Sequence, residues 1–235
     1  MVAVSLMARL SASTREDVGP LRGVIRISYL DPDLLAAALA RHTGYRPSTA
    51  TTHAVPSTEI ALEYESRTRW RIERRTKTSS WTEIRNGDRR WITDSRGRWE
   101  SHVRTGGRPI WGSDSGIADE LIELMLHPTP LWRAYEIAET TVPHEPIHSV
   151  HPRTGECWPL VLRSQAGSYS QLLWPGADEV GVCFFEAGGV LLWTMAILNS
   201  REYAHSSWEH LAFADPMPNE RFWPPVDRPV KTVRI

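Results

Sequence analysis

The alternation of apolar and polar residues is sharpest between Thr68 and Val103, TRWRIERRTKTSSWTEIRNGDRRWITDSRGRWESHV. Trp70 and Ile72 alternate with Arg69, Arg71 and Glu73, the period-two pattern of a strand with one buried face. Asn86-Gly87-Asp88 separates WTEIR from RRWIT, and Asn-Gly tolerates the positive φ of a two-residue type I′ hairpin turn. Ser95-Arg96-Gly97 marks the next reversal. Trp81, Trp91 and Trp99 recur once per strand. The stretch therefore predicts an antiparallel meander of three or four short strands with a tryptophan-rich face.

Upstream, LRGVIRISYL predicts a strand with Ile25, Ile27 and Tyr29 on one face. Asp31-Pro32-Asp33 opens a short helix, LLAAALARH, which Gly44 stops. STEIALEYES predicts a second strand, with Ile60, Leu62 and Tyr64 alternating against glutamates. Downstream of the meander, Asp114 or Ser115 caps IADELIELMLH, an amphipathic helix with Ile117, Leu121, Leu124 and Met125 on its apolar side and acids in its first half. LWRAYEIAETTV fits a short helix or a strand. A second meander follows: WPLVLRSQ, YSQLLWP, EVGVCFF, VLLWTMAIL and SWEHLAF, punctuated at Ala166-Gly167, Pro175-Gly176, Gly188-Gly189 and Asn199-Ser200. The proline-rich end, residues 214–235, is expected to lie extended along the body, and residues 1–20 to form an arm or short helix.

Strands, one or two helices, then strands predict an α+β fold built on one long antiparallel sheet, and the 235 residues are expected to form a single domain. Hydrophobic content of 41% is enough for a sizeable core. A net charge of −1 gives no global attraction to nucleic acid or membrane. The 11 tryptophans imply large amphipathic surfaces, core or pocket lining. Cys157 and Cys183 match no metal or redox spacing and are expected as buried thiols. The apolar stretch at the N-terminus has no basic region before it and does not read as a secretory signal, and no run reaches the length of a transmembrane helix. A cytoplasmic location is the expectation.

At the second meander, GADEVGVCFFEAGGVLLWTMAILNSREYAHSSWEHLAFADPMPNERF carries a strand ending near Phe185, the Glu186–Gly189 turn, a strand from Val190, a polar turn at Asn199–Glu202, a strand through Trp208–Phe213, and Asp215-Pro216-Met217-Pro218 leading to Phe222. With Arg69-Trp70-Arg71-Ile72-Glu73-Arg74, Asn86-Gly87-Asp88 and Trp91 upstream, this order over residues 57–223 resembles the lipoprotein-carrier superfamily. That is the fold shared by the periplasmic lipoprotein localisation carrier, the sigma-E regulator's periplasmic sensor and mycobacterial lipid-binding lipoproteins; actinobacterial members look most similar. The resemblance implies a strongly curved antiparallel sheet, an open half-barrel, with one or two helices packed in its concave face. It implies acyl chains or other hydrophobic ligands held there without covalent chemistry, and no shared catalytic residues. Two departures stand out: no export signal or lipobox is seen, and VLLWTMAIL and GVCFF are apolar at nearly every position, so both faces need cover.

The candidate cavity lining is Trp70, Ile72, Trp81, Trp91 and Trp99 from the first meander, Leu121, Leu124 and Met125 from the helix, and Trp174 and Trp193 from the second meander; plain core packing is the rival reading. Between residues 67 and 108 there are 13 Lys or Arg against five Asp or Glu, which suits a solvated sheet face better than an anion-binding one. His144, His148, His151 and Glu145 share one loop, but Pro146 and Pro152 disfavour the helix that would align them, so no metal is assigned. Glu63, Glu83, His102 and Glu186 are acid–base candidates on parity alone. No phosphate loop, nucleophile elbow or metalloprotease motif is present, and no cofactor is expected. The expected function is non-catalytic binding or carrying of a hydrophobic small molecule or acyl chain. The rivals are a cyclase- or isomerase-like enzyme using the same cavity and a protein–protein or regulatory module. Expected partners are the apolar ligand and, through the apolar strands, a second copy or another protein; nucleic acid is not expected.

Overall fold

A computed structural model describes residues 18–43, 57–77, 79–93, 96–103, 122, 125–126, 135–137, 147–148, 156–164, 176–185 and 190–234. Among them the chain is mainly β, an open and mostly antiparallel sheet, with one α-helix. The strands are β1 (Leu21–Tyr29), β2 (Thr58–Ser66), β3 (Arg69–Arg75), β4 (Ser80–Asn86), β5 (Arg89–Thr93), β6 (Trp99–Val103), β7 (Tyr135–Ile137), β8 (Ile147–His148), β9 (Glu156–Ser164), β10 (Glu179–Phe185), β11 (Leu191–Leu198), β12 (Arg201–Phe213) and β13 (Val230–Arg234). The helix is α1 (Pro32–Thr43). Residues Tyr135–Ile137 resolve the ambiguity of LWRAYEIAETTV as a strand. No helix among the described residues is long and apolar enough to cross a membrane.

The chain divides into two compact units. The meander unit takes in Gly19–Arg26, Ser57–Ala118 and Trp208–Ile235; the helix unit takes in Met1–Val18, Ile27–Pro56 and Asp119–Ser207. Strands β1 and β12 contribute residues to both.

In the meander unit the hydrogen-bonded order is β13-β6-β5-β4-β3-β2-β1-β12. The β4–β5 hairpin differs from the expected turn. Asn86 pairs with Arg89, so it ends the strand, and Gly87-Asp88 is the loop. Positive φ falls on Gly87 (63°), the first central position, which is the type II′ arrangement. The type I′ signature appears instead in the helix unit. There Asn199 (51°) and Ser200 (61°) both have positive φ between paired Leu198 and Arg201. Strand β12 starts directly at Arg201, earlier than the polar Asn199–Glu202 turn suggested. At Gly23 on β1, a Cβ would lie 2.2 Å from the carbonyl oxygen of His210, so only glycine lets the two backbones approach. The C-terminal segment is ordered by a single 3-10 turn (Asn219–Phe222) and by β13, which pairs parallel with β6.

In the helix unit the order is β12-β11-β10-β9-β7, with β8 also pairing on β9. Asp31 caps α1, its Oδ1 accepting from the backbone N–H of Asp33 (3.1 Å) and Leu34 (3.0 Å). Arg41 ties the other end of the helix to Asp178. The core here includes Leu160, Leu162, Val180, Val182, Ala196, Ala204 and Tyr203. Ile122, Met125 and Leu126 are buried, and Leu126 N–H donates to Ile122 O at 3.0 Å, one helical turn inside IADELIELMLH. Leu121 and Leu124 of the expected apolar set lie outside the described residues.

Candidate functional site

Directly paired residues share a sheet face, so the register assigns each side chain of the first meander to one of two surfaces. Tyr64 faces Trp70, Leu62 faces Ile72, and Ile72 in turn faces Glu83. Ile60, Leu62, Tyr64, Trp70 and Ile72, all at most 1% exposed, thus form one apolar surface across β2 and β3. Trp81 lies on this side, opposite Arg74, and is half-buried.

The other surface carries Ile84, Trp91 and Trp99. Ile84 pairs with Trp91, and Trp99 pairs with Thr93, the next residue of β5 on that face. Met217 and Phe222 complete this cluster, so the tail is seated on it. Arg221 pairs with Glu63 at 2.8 Å, Arg69 donates to Asn219 Oδ1 at 2.9 Å, and the Trp223 ring lies 4.9 Å from that of Trp91. The three tryptophans expected on one face therefore divide. Trp81 sits three residues before Ile84, an odd separation, and an odd separation in a strand puts a side chain on the opposite surface.

The apolar surface contains one fully buried carboxylate. Glu83 is 0% exposed and ion-paired with Arg90, its diagonal neighbour on β5. The pair neutralises a charge that burial would otherwise make costly. Glu83 was legible as a candidate from parity; its partner was not, because that depends on the β4–β5 register. Glu63, the second candidate, lies on the tail side and is engaged by Arg221. The side chain of His102 and all of Glu186 lie outside the described residues.

On the exterior of β3, Glu73 accepts from Arg71 (2.5 Å to Nη2) and Arg75 (3.0 Å). Burial pushes its carboxyl up, but the hydrogen bonds and charges of the two arginines outweigh that and hold it below its usual value.

In the helix unit Trp193 is half-buried, paired with Cys183 and Ser207 and stacked on His205 with ring centroids 6.3 Å apart. Trp193, Met195 and Ile197 share one side of β11. On the other side Thr194, Ala196 and Leu198 are buried, and Thr194 forms a hydroxyl pair with Ser206 at 2.5 Å. Cys183 is buried. Trp174 lies outside the described residues, as do His144, His151 and the side chain of His148. Among the described residues no cluster of His, Cys, Asp or Glu is arranged to hold a metal.

No family model matches the sequence, and no characterised protein matches it in sequence. Solved structures do match in fold. MucB is similar over 97% of this chain and 65% of its own, with a TM-score of 0.50 and 11% identity. The chain thus spans just under two-thirds of the MucB length. A conserved protein from Thermus thermophilus is similar over 100% of both chains, at TM-score 0.49 and 9% identity. A LolA superfamily protein from Nitrosomonas europaea is similar over 94% of this chain and 97% of its own, at TM-score 0.37 and 10% identity. The fold is similar to that of MucB. At these identities the likeness concerns the fold alone.

Proposed function

We propose that the chain binds a hydrophobic small molecule or acyl chain, without covalent chemistry, against the apolar surface of the meander unit. The observation that carries this reading is the surface formed by Ile60, Leu62, Tyr64, Trp70 and Ile72, with the tail seated on the opposite side of the same strands. Apolar area removed from water stabilises by about 25 cal/mol per Å², so a long-chain ligand gains most where such side chains are contiguous. These side chains are buried, so a ligand reaches them by displacing protein. The enzymatic alternative needs an isolated ionisable group on this surface, and Glu83 is paired with Arg90.

A second reading, a protein-binding regulatory module, is favoured by the half-buried row Trp193, Met195 and Ile197 on β11. MucB itself has been solved in complex with MucA from Pseudomonas aeruginosa.

Native mass spectrometry of the purified chain, with organic extraction, tests the two. A stoichiometric apolar molecule, displaced competitively by a fluorescent apolar probe, is the expected result. A chain that carries nothing and binds no such probe overturns the ligand reading and leaves the protein-binding one.

A further inference from the structure

The parallel pairing of β13 with β6 joins segments far apart in sequence: Val230 is in register with Trp99, and Lys231 with Glu100. Because the strands run the same way, the residues leading into each lie at the same end. Arg96 and Arg98 enter β6 there, and Arg228 enters β13. Between them is a groove of about 430 Å³, lined by Arg96, Arg98, Arg228 and Lys231 against a single carboxylate, Glu100, with Trp99 also in its lining. All four cationic residues are exposed, while Trp99 is 6% exposed. Four positive groups against one negative leave the lining at +3.

We propose that this groove is a binding site for a phosphate-bearing anion of the size of a small polyphosphate or a phosphorylated lipid headgroup. An anion seated among guanidinium and ammonium groups is attracted to each of them. Three of the four cations are arginines, whose planar guanidinium matches phosphate oxygens two at a time. The volume falls in the range of small-ligand sites. A nucleic-acid strand needs cations extended along a track, whereas these four converge on one compact groove. The proposal does not depend on the apolar-ligand reading, since the groove lies at the β6–β13 edge and takes a polar ligand.

The test uses the full chain and two probes. Inorganic pyrophosphate is titrated by calorimetry, and cosedimentation is measured with phosphatidylglycerol vesicles against phosphatidylcholine vesicles. The expected result is binding to at least one anionic probe that weakens with added salt. It should fall about tenfold or more in the R96E/R228E variant. The R22E variant, altered at an exposed β1 position outside the groove, should bind as the parent does. Pyrophosphate binding alone identifies a soluble phosphate compound as the source; retention on phosphatidylglycerol vesicles identifies a lipid headgroup. The milder R98Q variant should weaken binding in the same direction, which keeps the test valid if double charge reversal disturbs folding. Failure to bind either probe, equal loss in R22E, or retention of a single-stranded oligonucleotide alone overturns the proposal.

Discussion

The guanidinium carbon of Arg69 lies 4.7 Å from the centroid of the Phe222 ring. The same side chain pairs with Glu65 at 3.1 Å and donates to Asn219 at 2.9 Å, so one arginine of β3 holds both the preceding hairpin arm and the tail. Phe222 is fully buried beside Ile84, Trp91, Trp99 and Met217. The tail is thus part of the hydrophobic core of the meander unit.

Phe222→Ala should therefore destabilise the meander unit by about 3–5 kcal/mol, the usual cost of removing a buried aromatic ring. Arg69→Ala should cost less, about 1–2 kcal/mol, from one cation–π contact, one hydrogen bond and a partly exposed ion pair with Glu65. Urea denaturation followed by tryptophan fluorescence measures both. Equal stability of Phe222→Ala and the parent would mean that the tail does not contribute to this core.

Glu83 and Arg90 make a sharper test of the apolar surface. Glu83→Leu takes the carboxylate from a part-buried guanidinium, and Arg90→Met takes the guanidinium from a fully buried carboxylate; the second should cost about 3–5 kcal/mol and the first less. The double variant E83L/R90M removes both charges and should recover most of that loss. A double variant no more stable than either single one would show that the pair is held by interactions beyond its own charge balance.

Glu73 supplies a pH dependence with a definite sign. Its folded carboxyl titrates below its unfolded value, so its contribution is fully present above the ordinary glutamate pKa of about 4.3. That contribution disappears as pH falls through the lower folded value. Denaturation curves of the parent and Glu73→Gln should differ by a constant amount near neutral pH and converge in acid. Parallel curves across the whole range would remove Glu73 from the acid sensitivity of the fold.

Much of the architecture was legible in the pattern of residues. Period-two alternation located β2 and β3 and their buried sides, and Asp31 with Pro32 located the start of α1. Those are local signals, because alternation and capping are settled within a few residues. The turn at Asn86-Gly87 was recognised but assigned one residue off. The loop position follows from which residues pair across the hairpin, and a local dipeptide does not fix that.

Chain periodicity by itself determined that this is a strand-rich protein with one short capped helix early in the chain. It also picked out the residues most able to form an apolar surface, Trp70 and Ile72 among them. Only the tertiary structure decided that Trp91 and Trp99 turn away from Trp70 to bury Phe222, that Arg90 neutralises Glu83, and that Arg228 and Lys231 converge on Arg96 and Arg98. The reason is the same in each case. Periodicity says how side chains alternate along one strand, whereas strand register and the return of a distant segment say which side chains meet, and those are set by the whole packed sheet.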